Sequence, residues 1–271
     1  MAKGKLSPFW HAVAAYLQAW TRTPTLAGAV RMAAGWSSSA TARPAVQSSV
    51  TGSPNPLQKY FEAHVEGRGI WKWNHYFEAY HRHLNKFVGR EVHILEIGVY
   101  SGGSLEMWKQ YFGPQCKIYG VDIEPACQAY ADESVRIFIG DQADRDFWKR
   151  VKQEVPFLDI VIDDGGHKPH QQIVSLEEML PHLRPGGVYI CEDVQGSSQR
   201  FADYVSGLVH SLNATSISKR VGAELASAAT PFQAAVHSIH SYPFLTVIEM
   251  TGAPVGEFVA PKHGTQWQPF L

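Results

Sequence analysis

The sequence predicts an α/β fold: a doubly wound, mostly parallel sheet of seven strands that ends in an antiparallel hairpin and follows an N-terminal helical extension. Two observations predict it. Five short apolar runs alternate with helix-length segments between residues 93 and 212, which is typical of a parallel sheet covered by helices. Two further apolar runs are joined by Ser241-Tyr242-Pro243, which predicts the closing hairpin.

The elements follow one another in a regular order. The predicted strands, rich in β-branched and aromatic residues, cover residues 93–97, 117–121, 135–139, 158–162, 188–191, 234–240 and 244–250. The predicted helices cover residues 71–84, 104–111, 125–130, 143–151, 169–183 and 198–212. In the first helix aromatic residues recur at helical spacing, which indicates a helix packed on the edge of the sheet.

Composition limits the classes of function. The chain has 271 residues, 45% of them apolar, and a net charge of −1, so we expect neither a nucleic-acid partner nor a membrane partner. No run of 18 apolar residues occurs, which predicts no transmembrane helix. The three cysteines are scattered without metal or disulfide spacing, which indicates a reducing compartment and therefore a cytoplasmic location.

The N-terminal stretch differs from the rest. The first acidic residue is Glu62, and the residues before it are basic and rich in Ala, Ser and Thr. We interpret residues 1–56 as an extension and linker, and residues 57–271 as the folded domain. An acid-free, Ser-rich segment is typical of a mitochondrial or chloroplast transit peptide, so an organellar location is the alternative; an extension without an address fits equally well.

Three successive strand ends indicate a nucleotide-binding edge. The first strand ends in Glu96-Ile97-Gly98-Val99-Tyr100-Ser101-Gly102-Gly103-Ser104, where glycines let the backbone approach a ligand and a helix offers free N–H groups. This spacing departs from the dinucleotide fingerprint, and the acid before the first glycine suits a cationic or zwitterionic ligand. Asp122, 24 residues after Gly98, is suited to bind ribose hydroxyls, and Asp141 and Gln142 are suited to adenine. Taken singly, either aspartate could instead cap the next helix.

Four acids and a histidine follow the next two strands. Asp163, Asp164 and His167 end the fourth strand, and Glu192 and Asp193 end the fifth, so a parallel sheet brings them to one edge. Crowded carboxylates repel each other unless a positive charge lies between them, and a hard divalent cation is the simplest such charge. A neutral histidine beside it is suited to accept a proton. Asp163 should face opposite to Asp164 and orient the site from behind.

From about residue 91 to 250 the sequence resembles the class I S-adenosylmethionine-dependent methyltransferases. The E-x-G-x-x-x-G-G start, the acid after the second strand and the Gly140-Asp141-Gln142 turn carry the resemblance. It implies that S-adenosyl-L-methionine binds at this edge. The residues it assigns to the donor are Glu96, Gly98, Gly102 and Ser104 at the methionine end, Asp122 at the ribose, and Asp141 and Gln142 at the adenine.

A narrower resemblance is to the macrolide sugar O-methyltransferases of the mycinamicin and demethylmacrocin type. It rests on Asp164, on His167 and on the pair Glu192-Asp193, which begins 28 residues after Asp164. It implies that Asp164, Glu192 and Asp193 bind Mg²⁺ and that His167 is the catalytic base. The implied reaction methylates a hydroxyl of a sugar or another polyhydroxylated small molecule in secondary metabolism, because chelation of two hydroxyls lowers the pKa of the reacting one. Such enzymes often form homo-oligomers.

Two other functions fit parts of the pattern. An iron-dependent hydroxylase similar to the cephalosporin hydroxylases would use two histidines and one carboxylate, for which His167, His170 and Asp164 are available. A non-catalytic nucleotide-binding module is the other alternative, and the acids at both ends of the site argue against it. The glycine spacing disfavours a dehydrogenase.

Overall fold

The structure is a computed structural model that describes residues 23–34, 55–195, 200–214, 218–219 and 225–266. These residues divide into two compact units. The first unit comprises the described parts of residues 53–206 and 234–254, and the second comprises the described parts of the remaining segments. Most of the predicted linker lies outside the described residues, so the domain boundary near residue 56 stays a prediction.

The first unit is built on a seven-stranded sheet, which confirms the predicted fold class. Its strand order is β3-β2-β1-β4-β5-β9-β8, with the first five parallel and β9 antiparallel to both of its neighbours. The strands are β1 Val92–Ile97, β2 Cys116–Asp122, β3 Val135–Ile139, β4 Leu158–Asp163, β5 Leu183–Cys191, β8 Val236–Tyr242 and β9 Leu245–Met250. The chain order reverses between β1 and β4, and a crevice for ligands forms at that point of an open α/β sheet.

Six α-helices accompany the described part of this sheet, and capping residues mark the start of the first one. They are α2 Pro56–Ala63, α3 Tyr76–Leu84, α4 Gly103–Phe112, α5 Arg145–Glu154, α6 Pro169–Met179 and α7 Arg200–Leu212. Helix α2 starts after Asn55, whose side chain accepts the Leu57 and Gln58 amides, and Pro56 occupies the first helical position.

Several predicted boundaries and one helix type were wrong. The helix expected from residue 71 begins at Tyr76, and Trp71, Lys72 and Trp73 instead line the cavity described below. The helix expected to reach residue 183 ends at Met179, because Pro181 cannot continue it and a 3₁₀ turn follows. The predicted helix at 125–130 is a 3₁₀ helix, and β5 begins five residues earlier than predicted, with a register shift against β4.

The core explains why the central strands were predictable. All residues of β1 and β4 are buried, and strands buried on both faces appear in sequence as unbroken apolar runs. Helices α3 and α4 contribute large aromatic side chains to the same core. Tyr80 of α3 packs edge-on against Trp108 of α4, with 5.4 Å between ring centroids. This packing holds the first turn of α3 at the carboxyl edge of the sheet.

The second unit contains α1 (Thr23–Ala34) and an antiparallel sheet of order β10-β7-β6. Its strands are β6 Ser218–Lys219, β7 Leu225–Ala228 and β10 Glu257–Ala260, and a short helix α8, Pro231–Ala235, follows β7. The sequence did not predict this sheet, because strands of two to four residues show no readable alternation. Among the described helices none is long and apolar enough to cross a bilayer.

Candidate active site

A cavity of about 720 Å³ opens in the first unit where the parallel strands end. Nine of the eleven site residues predicted from the sequence line it: Gly98, Ser104, Asp122, Asp141, Gln142, Asp164, His167, Glu192 and Asp193. Glu96 and Gly102 do not line it. The volume is in the range of cofactor and small-molecule sites.

Gly98 allows the two halves of the cavity to meet. Its φ of +89° is in the left-handed region, and a Cβ there would lie 2.1 Å from the carbonyl oxygen of Asp164. The Asp164 amide donates to the carbonyl of Ile97 at 2.9 Å. The turn after β4 therefore packs directly on the end of β1, which requires a residue without a side chain.

The acids after β2 and β3 order the loops around them. Asp122 accepts the backbone N–H groups of Tyr100 and Glu124, each at 2.9 Å, and its oxygens retain further lone pairs for a ligand. The exposed Asp141 side chain accepts the Ala143 amide at 2.8 Å. The competing explanation, that these aspartates cap the following helices, is wrong.

Other acids cap those helices. Glu124 accepts the Ala126 amide at the start of the 3₁₀ helix, and Asp144 accepts the Asp146 amide at the start of α5. The binding roles of Asp122 and Asp141 stay predictions, and both residues line the cavity.

Gln142 is buried and bonded within the protein. Its Nε2 donates to Asp163 at 3.0 Å and to Ser175 at 2.9 Å, and its Oε1 accepts the Gly166 amide at 2.6 Å. Both amide hydrogens are thus in use. The contact of Gln142 with adenine stays a prediction. For the Gln142 side chain to donate a hydrogen bond to adenine, one of its two Nε2 bonds would have to break.

Asp163 lies behind the site, as alternation along β4 predicts. It is 1% exposed and accepts hydrogen bonds from Gln142 and from the Tyr189 hydroxyl. Burial raises its pKa to about 6, although these hydrogen bonds oppose the shift. Because the same carboxylate is held by Gln142, which also holds Gly166, Asp163 orients the turn that carries Asp164 and His167.

Glu96 and Gly102 lie behind the wall of the cavity. Glu96 is fully buried, and neither of its oxygens has a hydrogen-bond partner among the described residues. Burial raises the pKa of Glu96, and the charge of Lys72 opposes this. Gly102 precedes α4 with a φ of +72°, and the ring of Tyr130 lies 3.0 Å from where its Cβ would be.

A buried lysine lies between two of the predicted metal ligands. The Nζ of Lys72 is 2.5 Å from Asp164 Oδ2 and 3.0 and 2.9 Å from the two oxygens of Glu192. The side chains of Lys72 and Glu192 are 3% and 1% exposed. Part of the charge that the crowded carboxylates require is therefore supplied by the chain itself.

The charges of this cluster shift each other's pKa. Burial would lower the pKa of Lys72, but Asp164, Glu192 and Glu96 outweigh burial and raise it, so the ammonium stays charged. Burial and the charge of Asp164 raise the pKa of Glu192, and Lys72 opposes that shift. The carboxyl of Glu192 contacts the Lys72 ammonium with both oxygens and is shielded from solvent.

Asp193 is held by the segment that precedes α3. Its Oδ1 accepts the Trp73 indole N–H at 2.9 Å and the Tyr76 hydroxyl at 3.0 Å. The Nε2 of His167 is 3.7 Å from Asp193 Oδ2. Both His167 and Asp193 have positive φ, 53° and 51°, a strained conformation that is concentrated at functional sites.

The donor set can hold a cation. In the described part of the chain, the candidate ligands at this edge are Asp164, His167 and Asp193, whose ligand atoms lie within 4.8 Å of one another. Two carboxylates suit Mg²⁺, which prefers oxygen and retains several waters. Exposed His170 is not in this group, so the group lacks the second histidine of an iron hydroxylase site.

Lys72, Trp73 and Tyr76 were not predicted as site residues. They were assigned to a helix whose aromatic spacing indicated packing alone. The available signal was a single lysine between two tryptophans, upstream of a sheet edge with an excess of acids. The excess of acids indicates that a positive charge must lie nearby, but it does not indicate which cation supplies that charge.

Comparisons with known proteins agree with this geometry. Residues 95–194 match a family model described as a methyltransferase domain. The chain is 40% identical over 129 residues to the mycinamicin VI 2''-O-methyltransferase of Micromonospora griseorubida, covering 44% of this chain and 32% of that protein. It is 31% identical over 202 residues to the 8-demethyl-8-alpha-L-rhamnosyl tetracenomycin-C 2'-O-methyltransferase of Streptomyces olivaceus, covering 68% and 52%.

A solved structure shows the same relationship. It is the MycE methyltransferase from the mycinamycin biosynthetic pathway in complex with Mg and SAH, with a TM-score of 0.58 and 26% identity over 73% of this chain and 54% of that one. The chain spans about half or less of the length of these relatives. The predicted resemblance is confirmed: residues 95–194 match a methyltransferase domain, in a chain similar to the macrolide O-methyltransferases.

Proposed function

We propose that the protein is an S-adenosylmethionine-dependent O-methyltransferase that methylates a hydroxyl on the sugar of a small molecule. One observation carries the proposal: a single cavity joins the donor-side residues Gly98, Asp122 and Asp141 to the acidic cluster of Asp164 and Asp193. A methyl donor and a hydroxylated acceptor can therefore meet within it. The names of the relatives, which methylate sugar hydroxyls of antibiotics, support this acceptor class.

The donor side suits a cationic ligand. Asp122 has free acceptor positions for ribose hydroxyls, and Ser104 lines the cavity at the start of α4 for the methionine end. The buried Glu96 lies behind this wall near Lys72, and in its ionised form it adds negative potential toward a sulfonium or ammonium group. A dinucleotide pyrophosphate would be repelled by the same charge.

The acceptor side suits Mg²⁺ bound by Asp164 and Asp193. When bound, the ion lowers the pKa of a hydroxyl that coordinates to it. Trp73 and Tyr76 hold Asp193 in place for this task, and Gly98 lets Asp164 reach the edge. Glu192, the third predicted ligand, is paired with Lys72, so its participation requires that ion pair to open.

His167 is the proposed base. Its imidazole is 40% exposed and lines the cavity, so Nε2 can accept the proton of the acceptor hydroxyl. The freed oxygen attacks the methyl carbon, and the carbon–sulfur bond breaks to leave a neutral thioether. Asp193, 3.7 Å from Nε2, stabilises the imidazolium that results. Cytoplasmic location and a homo-oligomeric state stay predictions.

The test compares two nearby histidines. His167→Ala should lower turnover of a rhamnosylated polyketide by about 100-fold or more, because general base catalysis contributes on that scale. S-adenosylmethionine binding, measured by calorimetry, should stay within about twofold of wild type. His170→Ala is the matched control, since that exposed side chain should affect neither quantity.

Two outcomes would contradict the proposal. Wild-type turnover in the His167→Ala variant would remove the base assignment. No binding of S-adenosylmethionine to the wild-type chain would remove the methyltransferase proposal altogether. The metal is tested separately: chelator-treated protein should lose activity and regain it with added Mg²⁺, and full activity after chelation would exclude the ion.

A further inference from the structure

A second cluster of metal-ligating side chains lies outside the cavity. It consists of His83 in the last turn of α3, His240 on β8 and Glu249 on β9. One ligand atom from each lies within 4.8 Å of the other two. His83 follows Tyr76 by seven residues, so it is about 10 Å further along the helix axis from the active site.

The two imidazole nitrogens face the Glu249 carboxylate at separations that leave room for a metal ion between them. His83 Nδ1 is 3.5 Å from Glu249 Oε1, and His240 Nε2 is 3.6 Å from Glu249 Oε2. These separations are too long for good hydrogen bonds. Atoms held about 2.1 Å from a tetrahedral ion are about 3.4 Å apart, and each imidazole nitrogen lies near that distance from one of the two Glu249 oxygens.

An outer contact orients the imidazole of His83, and a hydroxyl lies beside the ligand nitrogen of His240. The Nε2 of buried His83 contacts the Tyr242 hydroxyl at 2.9 Å, which leaves Nδ1 to face the carboxylate. His240 is 39% exposed, and its Nε2 lies 3.0 Å from Ser238 Oγ. Ser238 Oγ is also 3.3 Å from Glu249 Oε2, so a hydroxyl oxygen borders the same space.

One cation already competes for this carboxylate. Lys86 Nζ is 3.2 Å from Glu249 Oε1, and the lysine side chain is 41% exposed. A half-exposed ion pair of this kind contributes little and can be displaced. Lys86 can therefore turn toward solvent when a stronger ligand of Glu249 arrives.

We propose that His83, His240 and Glu249 bind a divalent transition-metal ion of the Zn²⁺ type, which ties α3 to the β8–β9 hairpin. Two imidazoles and a carboxylate suit Zn²⁺ and its first-row neighbours, whereas Mg²⁺ prefers oxygen donors alone. Three protein ligands leave a position for water or for the Ser238 hydroxyl. The site is independent of the proposed methyl transfer.

The test is a calorimetric titration of the full, tag-free chain with Zn²⁺ in excess Mg²⁺. Wild type should bind one Zn²⁺ ion. The His240→Ala variant should bind it at least about tenfold more weakly, since even changes outside the ligand set weaken metal binding on that scale. Lys86→Met should bind it more tightly, because the competing ammonium is gone. Asp193→Asn should retain it, which separates this ion from one in the cavity.

A second measurement keeps the proposal falsifiable if a variant folds poorly. Zn²⁺ should raise the thermal unfolding midpoint of wild type and of Asp193→Asn, but not that of His240→Ala. Equal Zn²⁺ affinity of wild type and His240→Ala would overturn the proposal. Loss of the ion in Asp193→Asn alone would also overturn it, because the ion would then belong to the cavity.

Discussion

Lys72 is the residue whose removal should most disturb the site. Lys72→Met keeps a side chain of similar length and deletes only the ammonium. In wild type that group is 2.5 Å from Asp164 and within 3.0 Å of both oxygens of Glu192, and the pair with Glu192 is almost completely buried. The variant therefore leaves a carboxylate in the protein interior with no counter-charge.

The size of the effect follows from this burial. At a pH high enough to ionise Glu192, removing one partner of this buried ion pair should destabilise the protein by about 3–5 kcal/mol, because the remaining charge is uncompensated. Lys149→Met is the matched control. Lys149 pairs with Asp146 on the exposed surface, and such solvent-screened pairs contribute little to stability.

The destabilisation should depend on pH through Glu192. Its pKa in the folded protein is raised to about 8 even with Lys72 present, and loss of the ammonium raises it further. A carboxyl with a raised folded pKa keeps a proton that the unfolded chain releases, so its contribution to stability is lost as pH rises through that window. The difference between wild type and Lys72→Met should thus be larger near pH 8.5 than near pH 5.5.

Urea unfolding monitored by circular dichroism at both pH values measures these differences. Mg²⁺ should also raise the unfolding midpoint of Lys72→Met more than that of wild type, since Glu192 and Asp164 are then free to bind it. If Lys72→Met and Lys149→Met unfold at the same urea concentration at high pH, the buried ion pair does not form and the reasoning fails.

Three further predictions concern other parts of the site. Gly98→Ala should destabilise the fold by more than about 2 kcal/mol in urea, whereas Gly113→Ala, with a similar φ but open space, should lose less; equal losses would refute the contact with the β4 turn. As the pH rises from about 4 to 6, the unfolding free energy of wild type should fall by on the order of 3 kcal/mol, because the raised pKa of Asp163 makes its neutral form the stable one in the folded protein. Asp163→Asn should abolish this fall, and parallel pH profiles of the two proteins would contradict the prediction. Trp73→Phe should lower the rate of methyl transfer while changing the unfolding free energy by less than about 1.5 kcal/mol, since it removes one hydrogen bond to Asp193; an unchanged rate would show that this bond does not orient the acid.

The strands and strand ends were predictable for a local reason. Buried parallel strands appear as apolar runs, and an acid directly after such a run must lie at the carboxyl edge of the sheet. For that reason Asp122, Asp141 and Asp164 were located correctly around one cavity. The early start of β5 was missed because Pro185-Gly186-Gly187 has the composition of a turn, although it lies within the strand.

The partners of those acids were not predictable. Lys72 is 92 residues from Asp164 and 120 from Glu192, and Trp73 is 120 from Asp193. No periodicity relates residues so far apart, because their contact depends on how α3 packs against α4 and the sheet. Gln142 shows the same limit, since its bonds to Asp163, Ser175 and Gly166 arise from three different segments.

The sequence alone determined the sheet, the edge at which ligands bind, and the excess of carboxylates that this edge must neutralise. Spacing along single strands contains that information, and it is local. Only the tertiary structure decided which cation neutralises these carboxylates. Lys72 pairs with Glu192 and with one oxygen of Asp164. The group of Asp164, Asp193 and His167 remains as the candidate site for a metal ion. The physical reason is that electrostatic pairing depends on distance in space, which packing sets and chain order does not.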